Sequence, residues 1–468
     1  MGSGSGAVDG VTCWEIVTAR DEHSYYRELK DGTIKQVNPF TGVQVWTVPG
    51  RGSRPLNRPI PNPRPITDAD RVAACAFCQN RTLETPPEKS RLISTLSDGA
   101  YGAGDSSEIM RGYRVLRHLP AGEVGSTTAE FRRIPNLFEI LSWEYWHENH
   151  GLELPSEARQ WQEEYLSDPT GLAHVQRVLD AKFAAQGLDL RAARLSPDQL
   201  RSESAAFFAG GHDVVVARRH YTDDATTTAG LAGSGTLSPL EHRAFTAATV
   251  STIADLYASN PEARYVVAFQ NWLKPAGASF DHLHKQLVAI DEIGHSNDEV
   301  LSRVAADPAM FNQWGPDFAI DHNLVLAAND HAVAFVGFGH RYPTVEVWST
   351  SARDQPWKMT TEEVDAVSDL LHAMHLAVGA DVPSNEEWHY RPVGVEMPMP
   401  WRILLKLRVS TLAGFEGSTK VYVNTISPAS LAARLLPRLL DARKAGKLAE
   451  MRIGAECDLP RGVLASVN

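Results

Sequence analysis

His282, His284 and Gln286 stand two residues apart in the stretch Ala278-Ser-Phe-Asp-His-Leu-His-Lys-Gln-Leu-Val-Ala-Ile290. Imidazole nitrogens serve as nucleophiles, proton carriers and metal ligands, and a primary amide donates and accepts hydrogen bonds. The β-rich tail Leu287 to Ile290 predicts a strand. Side chains two apart on a strand share a face, so the three polar groups form one row while Leu283, Lys285 and Leu287 turn away. Such a row reads as a site, against the plainer alternative of three polar residues on an exposed strand face. A second chemical feature is Cys75-Ala-Phe-Cys78. A lone CxxC reads as chance, as a redox motif or as half of a metal site, and its spacing alone does not choose among them.

The elements that must position these groups repeat. Ser238-Pro-Leu-Glu241 is a capping box opening a helix whose apolar face uses Phe245, Ile253, Leu256 and Tyr257. A strand over Arg264 to Phe269, a Gly-containing loop and the histidine row follow. Thr360-Thr-Glu-Glu363 opens a second such helix through Val364, Val367, Leu370, Leu371 and Met374. After the Pro-rich segment Pro392 to Pro400 comes a strand over Trp401 to Val409. The same order thus recurs about 120 residues on, and it sets Trp401 to Leu405 opposite His282 to Gln286, to within a residue. Ser427-Pro428 caps a last amphipathic helix through Leu431, Leu435, Leu439 and Leu440. The organisation expected is a flexible segment over 1–12, a first half over 13–295 carrying the chemistry and a degenerate second half over 296–468.

Composition bounds the rest. A chain of 468 residues with 43% hydrophobic content supplies a substantial core. A formal charge of −12 argues against general affinity for nucleic acid, although a local basic cluster can still hold a phosphate. No apolar run is long enough to span a bilayer and no signal-peptide pattern is present, so no membrane partner is expected. Cys13 and Cys457 stand alone, and four cysteines in so long a chain staple little, which predicts a cytoplasmic setting.

Several segments, taken in order, resemble the galactose-1-phosphate uridylyltransferase family, a duplicated branch of the histidine-triad superfamily. They are Asn38-Pro-Phe-Thr-Gly42 with Arg51-Gly-Ser-Arg54, Cys75-Ala-Phe-Cys78 with Thr85-Pro-Pro-Glu88, and Arg133-Ile-Pro-Asn136. Val214-Val-Val-Ala-Arg-Arg-His220, the row from Gly277 to Gln286, and Ala413-Gly-Phe-Glu416 with Val421-Tyr-Val-Asn424 complete the series. The resemblance runs from about residue 28 to 440. It implies an α+β fold of two histidine-triad-like halves, each an antiparallel sheet with packed helices, with helical insertions in the first half.

What the family does with these residues carries over position by position. Cys75, Cys78, His220 and His282 would bind one zinc ion, whose four protein ligands leave no open position and mark it as structural. His284 would be the nucleophile that attacks an α-phosphorus and holds the nucleotidyl group as a phosphoimidazole. Gln286 would give an amide N–H to a non-bridging oxygen. Arg51 and Arg54 would hold phosphates, Ser279 and Asn271 would contact the phosphoryl group, and Asn136 the nucleoside.

The chain also departs from the family. Leu283 and Asp281 stand where relatives often have proline, and Asp281 reads as a loop acid rather than a partner of His282. One insertion precedes Asn136 and contains the Gly/Ser-rich Ser97 to Ser107. Another follows it and reads as helical through Trp161, Tyr165, Val175, Val178 and Phe183. The second half lacks the family's histidine-rich motif, which speaks against a second metal site and against galactose 1-phosphate recognition. The function expected is nucleotidyl transfer between a nucleotide sugar and a sugar phosphate through a nucleotidyl-histidine. The alternatives are a phosphorylase or hydrolase of the same fold, in which phosphate or water is the acceptor, and an idle zinc-stabilised nucleotide-binding protein. A homodimer is expected because relatives dimerise.

Overall fold

Both capping boxes form. The Ser238 hydroxyl accepts from the Glu241 amide at 3.3 Å while the Glu241 carboxylate accepts from the Ser238 amide at 2.7 Å. Thr360 and Glu363 repeat the pattern at 3.3 and 2.8 Å. They open the helices Pro239–Ser259 and Thr361–Val378, which pack on each other through apolar faces including Phe245, Ile253, Val367 and Leu371, all fully buried. The contact is closed by a forked Arg243–Asp369 pair, with both bonds at 2.7 Å. The structure is a computed structural model that describes residues 22–49, 56, 62–95 and 109–467. Segment 1–12, Cys13, Arg51, Arg54 and the stretch 97–107 lie outside the described residues.

Under this helix pair runs a sheet of thirteen strands among the described residues. Eight of them carry the argument: β1 Ala129–Pro135, β2 His212–Ala217, β3 Tyr265–Trp272, β4 His284–Ile290, β5 Ala332–Val336, β6 Thr344–Ser349, β7 Ser384–His389 and β8 Arg402–Leu407. Their order is β5-β6-β8-β7-β3-β4-β2-β1, with every neighbour antiparallel. Each half therefore has the same topology, with its long helix between its second and third strands. The halves meet edge to edge, where β3 pairs with β7 through Asn271 opposite Asn385 and Gln270 opposite Glu386. That pairing removes an exposed edge from each half. A second, four-stranded sheet joins Tyr26–Glu28, Ile34–Val37 and Gln44–Thr47 to Val421–Asn424, the last running parallel to Gln44–Thr47.

Three local expectations change. β3 runs on to Trp272, so Asn271 sits in a strand rather than in the following loop. β4 begins only at His284, which leaves His282 in the bend before it. On the last helix, Pro428–Lys444, Leu431, Leu435 and Leu439 are buried but Leu440 is 36% exposed. Residue 440 follows residue 439 by one position, about 100° round the helix, and so leaves the packed stripe.

The register of β8 falls within the one residue of latitude that the sequence pattern leaves. Trp401, Ile403 and Leu405 are buried under the helix pair, and it is Arg402, Leu404 and Lys406 that share the open face with His284 and Gln286. A slip of one residue transfers every side chain of a strand to the other face.

The helix side of the sheet holds a charge at its centre. Lys285 of β4 and Glu386 of β7 form a fully buried ion pair, and Glu386 also accepts from His375 Nε2 at 2.7 Å and Trp388 Nε1 at 2.6 Å. Lys285 lies 5.0 Å from the Phe245 ring centre. Removing one partner leaves the other charge uncompensated in a dry interior, so Lys285→Met should cost about 3–5 kcal/mol. Adding Glu386→Gln to it should restore part of that loss. Thermal melts of the single and double variants test this, and a single variant that melts with the parent would contradict it.

Candidate functional site

Four side chains from three separate stretches converge. Cys75 and Cys78 flank a turn closed by the Cys78 amide donating to the Cys75 carbonyl at 3.0 Å. His220 follows β2 and His282 precedes β4. Cys75 Sγ lies 3.5 Å from His220 Nδ1 and 3.4 Å from His282 Nδ1, Cys78 Sγ lies 3.6 and 3.8 Å from the same atoms, and the sulfurs are 3.8 Å apart. A tetrahedral zinc with Zn–S of about 2.3 Å and Zn–N of about 2.0 Å requires S···S edges of about 3.8 Å and S···N edges of about 3.5 Å. The donor set therefore has the size as well as the softness for zinc. His282 Nε2–H donates to the Ala217 carbonyl at 2.7 Å, which leaves the Nδ1 lone pair free to coordinate a metal ion. Asp281 is thus not the partner of His282, and its Oδ1 is buried without a hydrogen bond among the described residues.

His284 lies on β4 opposite Val216 of β2 and is 4% exposed. Its Nδ1–H donates to the His282 carbonyl at 2.7 Å, so the lone pair is on Nε2. Burial lowers its pKa to about 4, which keeps the ring neutral. The Phe77 ring, from within the CxxC turn, lies 5.2 Å from the His284 ring and 4.6 Å from Phe280. One short turn thus supplies both thiols and the wall beside the imidazole. With His282 and His284 buried, the row is no exposed strand face.

Gln286 is held by a residue the sequence reading passed over. The Ile140 amide donates to His212 Nδ1 at 3.3 Å, so the proton of this neutral ring is on Nε2, which donates to Gln286 Oε1 at 3.2 Å. Burial lowers the His212 pKa to about 4. The amide nitrogen of Gln286 is left without an acceptor among the described residues. Asn136 adjoins the same ring, with Nδ2 at 3.1 Å from His212 Nε2 and Oδ1 accepting from the Phe138 amide at 3.0 Å. The sequence signal available for His212 was its position at the head of the Val214-Val-Val216 strand, facing the row.

The remaining candidates divide. Asn271 is occupied by Asn385, whose Nδ2 donates to its Oδ1 at 2.7 Å. Ser279 is exposed in the bend before the row. The helical insertion forms Ser156–Ser167, Pro169–Ala185 and Pro197–Ala209 around a core of Trp161, Tyr165, Val175, Val178 and Phe183. It reaches the site through His174, whose Nε2–H donates to the Thr85 carbonyl just after the CxxC turn at 2.8 Å. The Tyr165 hydroxyl donates to His174 Nδ1 at 2.8 Å. Beside Phe77 a cavity of about 590 Å³ is lined by Arg81, Arg132, Arg177 and Arg218. Arg132 shares a sheet row with His284 through Val216.

The sheet of two like halves and its packed helices form an α+β fold that solved structures share. Among solved structures it matches an ADP-glucose phosphorylase from Arabidopsis thaliana with bound ADP-glucose, at 18% identity and a TM-score of 0.54, covering 86% of this chain and 98% of that one. It also matches a galt-like protein from Arabidopsis thaliana at 17% identity and a TM-score of 0.51, with the same coverage of 86% and 98%. The chain belongs to the family described as "Domain of unknown function (DUF4921)", which matches residues 29–466. A curated relative, the ADP-glucose phosphorylase of Arabidopsis thaliana, is 27% identical over 187 residues, 37% of this chain and 52% of the relative. The chain thus spans about half the length of that relative. No helix among the described residues is long and apolar enough to cross a membrane.

Proposed function

We propose that this chain is an enzyme acting on nucleotide sugars, in which His284 carries the nucleoside monophosphate between donor and acceptor. The observation that carries the reading is the state of His284: neutral, its Nδ1–H held by the His282 carbonyl and its Nε2 lone pair free. Nε2 attacks the α-phosphorus, the P–O bond to the leaving sugar phosphate breaks, and a P–N bond forms. The acceptor oxygen then attacks the same phosphorus from the vacated side, and the P–N electron pair returns to Nε2. Gln286, with its carbonyl engaged by His212, offers its N–H to the non-bridging oxygen where charge builds. Zinc held by Cys75, Cys78, His220 and His282 would fix the turn bearing Phe77 and the backbone carbonyl that orients His284.

Inorganic phosphate is the acceptor we favour, because the curated relative and a solved structure of the same fold are both named as ADP-glucose phosphorylases. With phosphate, a nucleotide sugar yields a nucleoside diphosphate and a sugar 1-phosphate. Transfer to a second sugar phosphate is the other reading, and it was the one expected from sequence. Incubating ADP-glucose or UDP-glucose with phosphate, with galactose 1-phosphate, or with neither separates the readings. Nucleoside diphosphate that appears only with phosphate supports the phosphorylase, and a new nucleotide sugar supports the transferase. Binding without turnover under every condition would overturn both.

Arg51 and Arg54 enter this reading as phosphate ligands, supported by the resemblance of their loop. Each Arg→Ala change should weaken nucleotide-sugar binding by about 1.5–3 kcal/mol, the scale of a charge-assisted hydrogen bond, and leave the melting temperature unchanged. Calorimetric titration measures this, and two variants that bind like the parent would refute the assignment.

A further inference from the structure

On the second half, the side of the sheet away from the helix pair carries different residues from those of the first. Arg402, Leu404 and Lys406 of β8 line a cavity of about 550 Å³, well within the range of small-ligand sites. Arg402 is 5% exposed, and its guanidinium donates no hydrogen bond among the described residues; Nη1 is buried without a partner. It lies 5.1 Å from the ring of Phe40, 5.0 Å from Phe311 and 5.5 Å from Trp348.

The carboxylates nearby are already engaged. Glu346 accepts from His340 Nε2 at 2.7 Å and Trp348 Nε1 at 2.8 Å, and Glu387 accepts from Lys406 at 2.6 Å. Directly across from Arg402, His389 has a buried Nε2 with no hydrogen bond among the described residues, 3.6 Å from Glu387. Just past the end of β8, Arg408 donates to Asn385 Oδ1 at 2.8 Å, and its Nε is buried without a partner among the described residues. A buried cation without hydrogen-bonded compensation is costly, and a folded chain keeps one where a ligand supplies the counter-charge. An aromatic bed under a guanidinium leaves its donor fork for an anion, and phosphate suits that fork.

We propose that this cavity is a second ligand site, separate from His284, which takes a phosphate monoester of hexose size. The phosphate meets Arg402, and the hydroxyl-bearing part lies over Leu404 toward Lys406 and Asn385.

The test is calorimetric titration of the full chain with glucose 1-phosphate, with malate and glucose as controls. The parent should show a class of sites that Arg402→Met weakens roughly 10- to 100-fold, the loss of one or two charge-assisted hydrogen bonds. His284→Ala should keep that class. If Arg402→Met does not fold, hydrogen exchange on the parent decides: glucose 1-phosphate should slow exchange across residues 402–408, and no slowing there overturns the proposal. Equal binding by the parent and Arg402→Met, or by malate and the sugar phosphate, also overturns it. Since every readout is binding, failure here leaves the nucleotidyl-transfer reading standing, and failure of catalysis leaves this one standing.

Discussion

Mixed with a nucleotide sugar labelled at the α-phosphate and given no acceptor, the protein should retain label through a P–N bond that is labile to acid and stable to alkali. The label should map to His284. Attack requires a neutral imidazole with one lone pair facing the phosphorus, and burial together with the His282 carbonyl supplies that state. Because burial lowers the pKa to about 4, protonation should not limit labelling until the pH falls to about 5 or below. His284→Ala should abolish the label: Val216 lies beside it on β2, Gln286 follows it on β4, and the other imidazole on this face, His212, is engaged by the Ile140 amide and by Gln286 Oε1. Gln286→Ala should instead slow labelling by about 10²–10³-fold, the usual effect of losing one preorganised donor. Label that persists in the His284 variant, or never forms with ADP-glucose or UDP-glucose, would remove the covalent mechanism.

About one zinc per chain is expected by elemental analysis, because the described donor set is complete with two thiols and two imidazoles. Cys75→Ser/Cys78→Ser should remove the metal and His220→Ala should lower its content, each with a fall in melting temperature. A closed site contributes its binding free energy to folding, and in small zinc-dependent peptides that amounts to about 10–16 kcal/mol. The loss in this chain should be smaller and local, since the sheet and its helix pair hold a core of their own. It should nevertheless reach catalysis, because the turn between the two cysteines carries Phe77 against His284. Full metal occupancy in the double cysteine variant would defeat the assignment.

Local signals were legible in the chain itself. Both capping boxes, the apolar stripes behind them and the alternation that turns Leu283, Lys285 and Leu287 away from His284 and Gln286 depend on neighbours a few residues apart, and short-range geometry decides them. The grouping of Cys75, Cys78, His220 and His282 was legible only through resemblance, because three distant stretches meet there and nothing in their spacing says so.

Tertiary structure alone decided the rest. Within the one residue of latitude that the pattern leaves, hydrogen bonding to β6 and β7 sets the register of β8 and puts Arg402 on the open face, because apolar residues flanking a cation fit either face until the partners are in place. Gln286 owes its orientation to His212 on the neighbouring strand, 74 residues earlier in the chain. The pairing of β3 with β7 turned two halves into one sheet and placed Glu386 against Lys285; such contacts depend on which strand edges meet in space, a choice that local pattern does not encode.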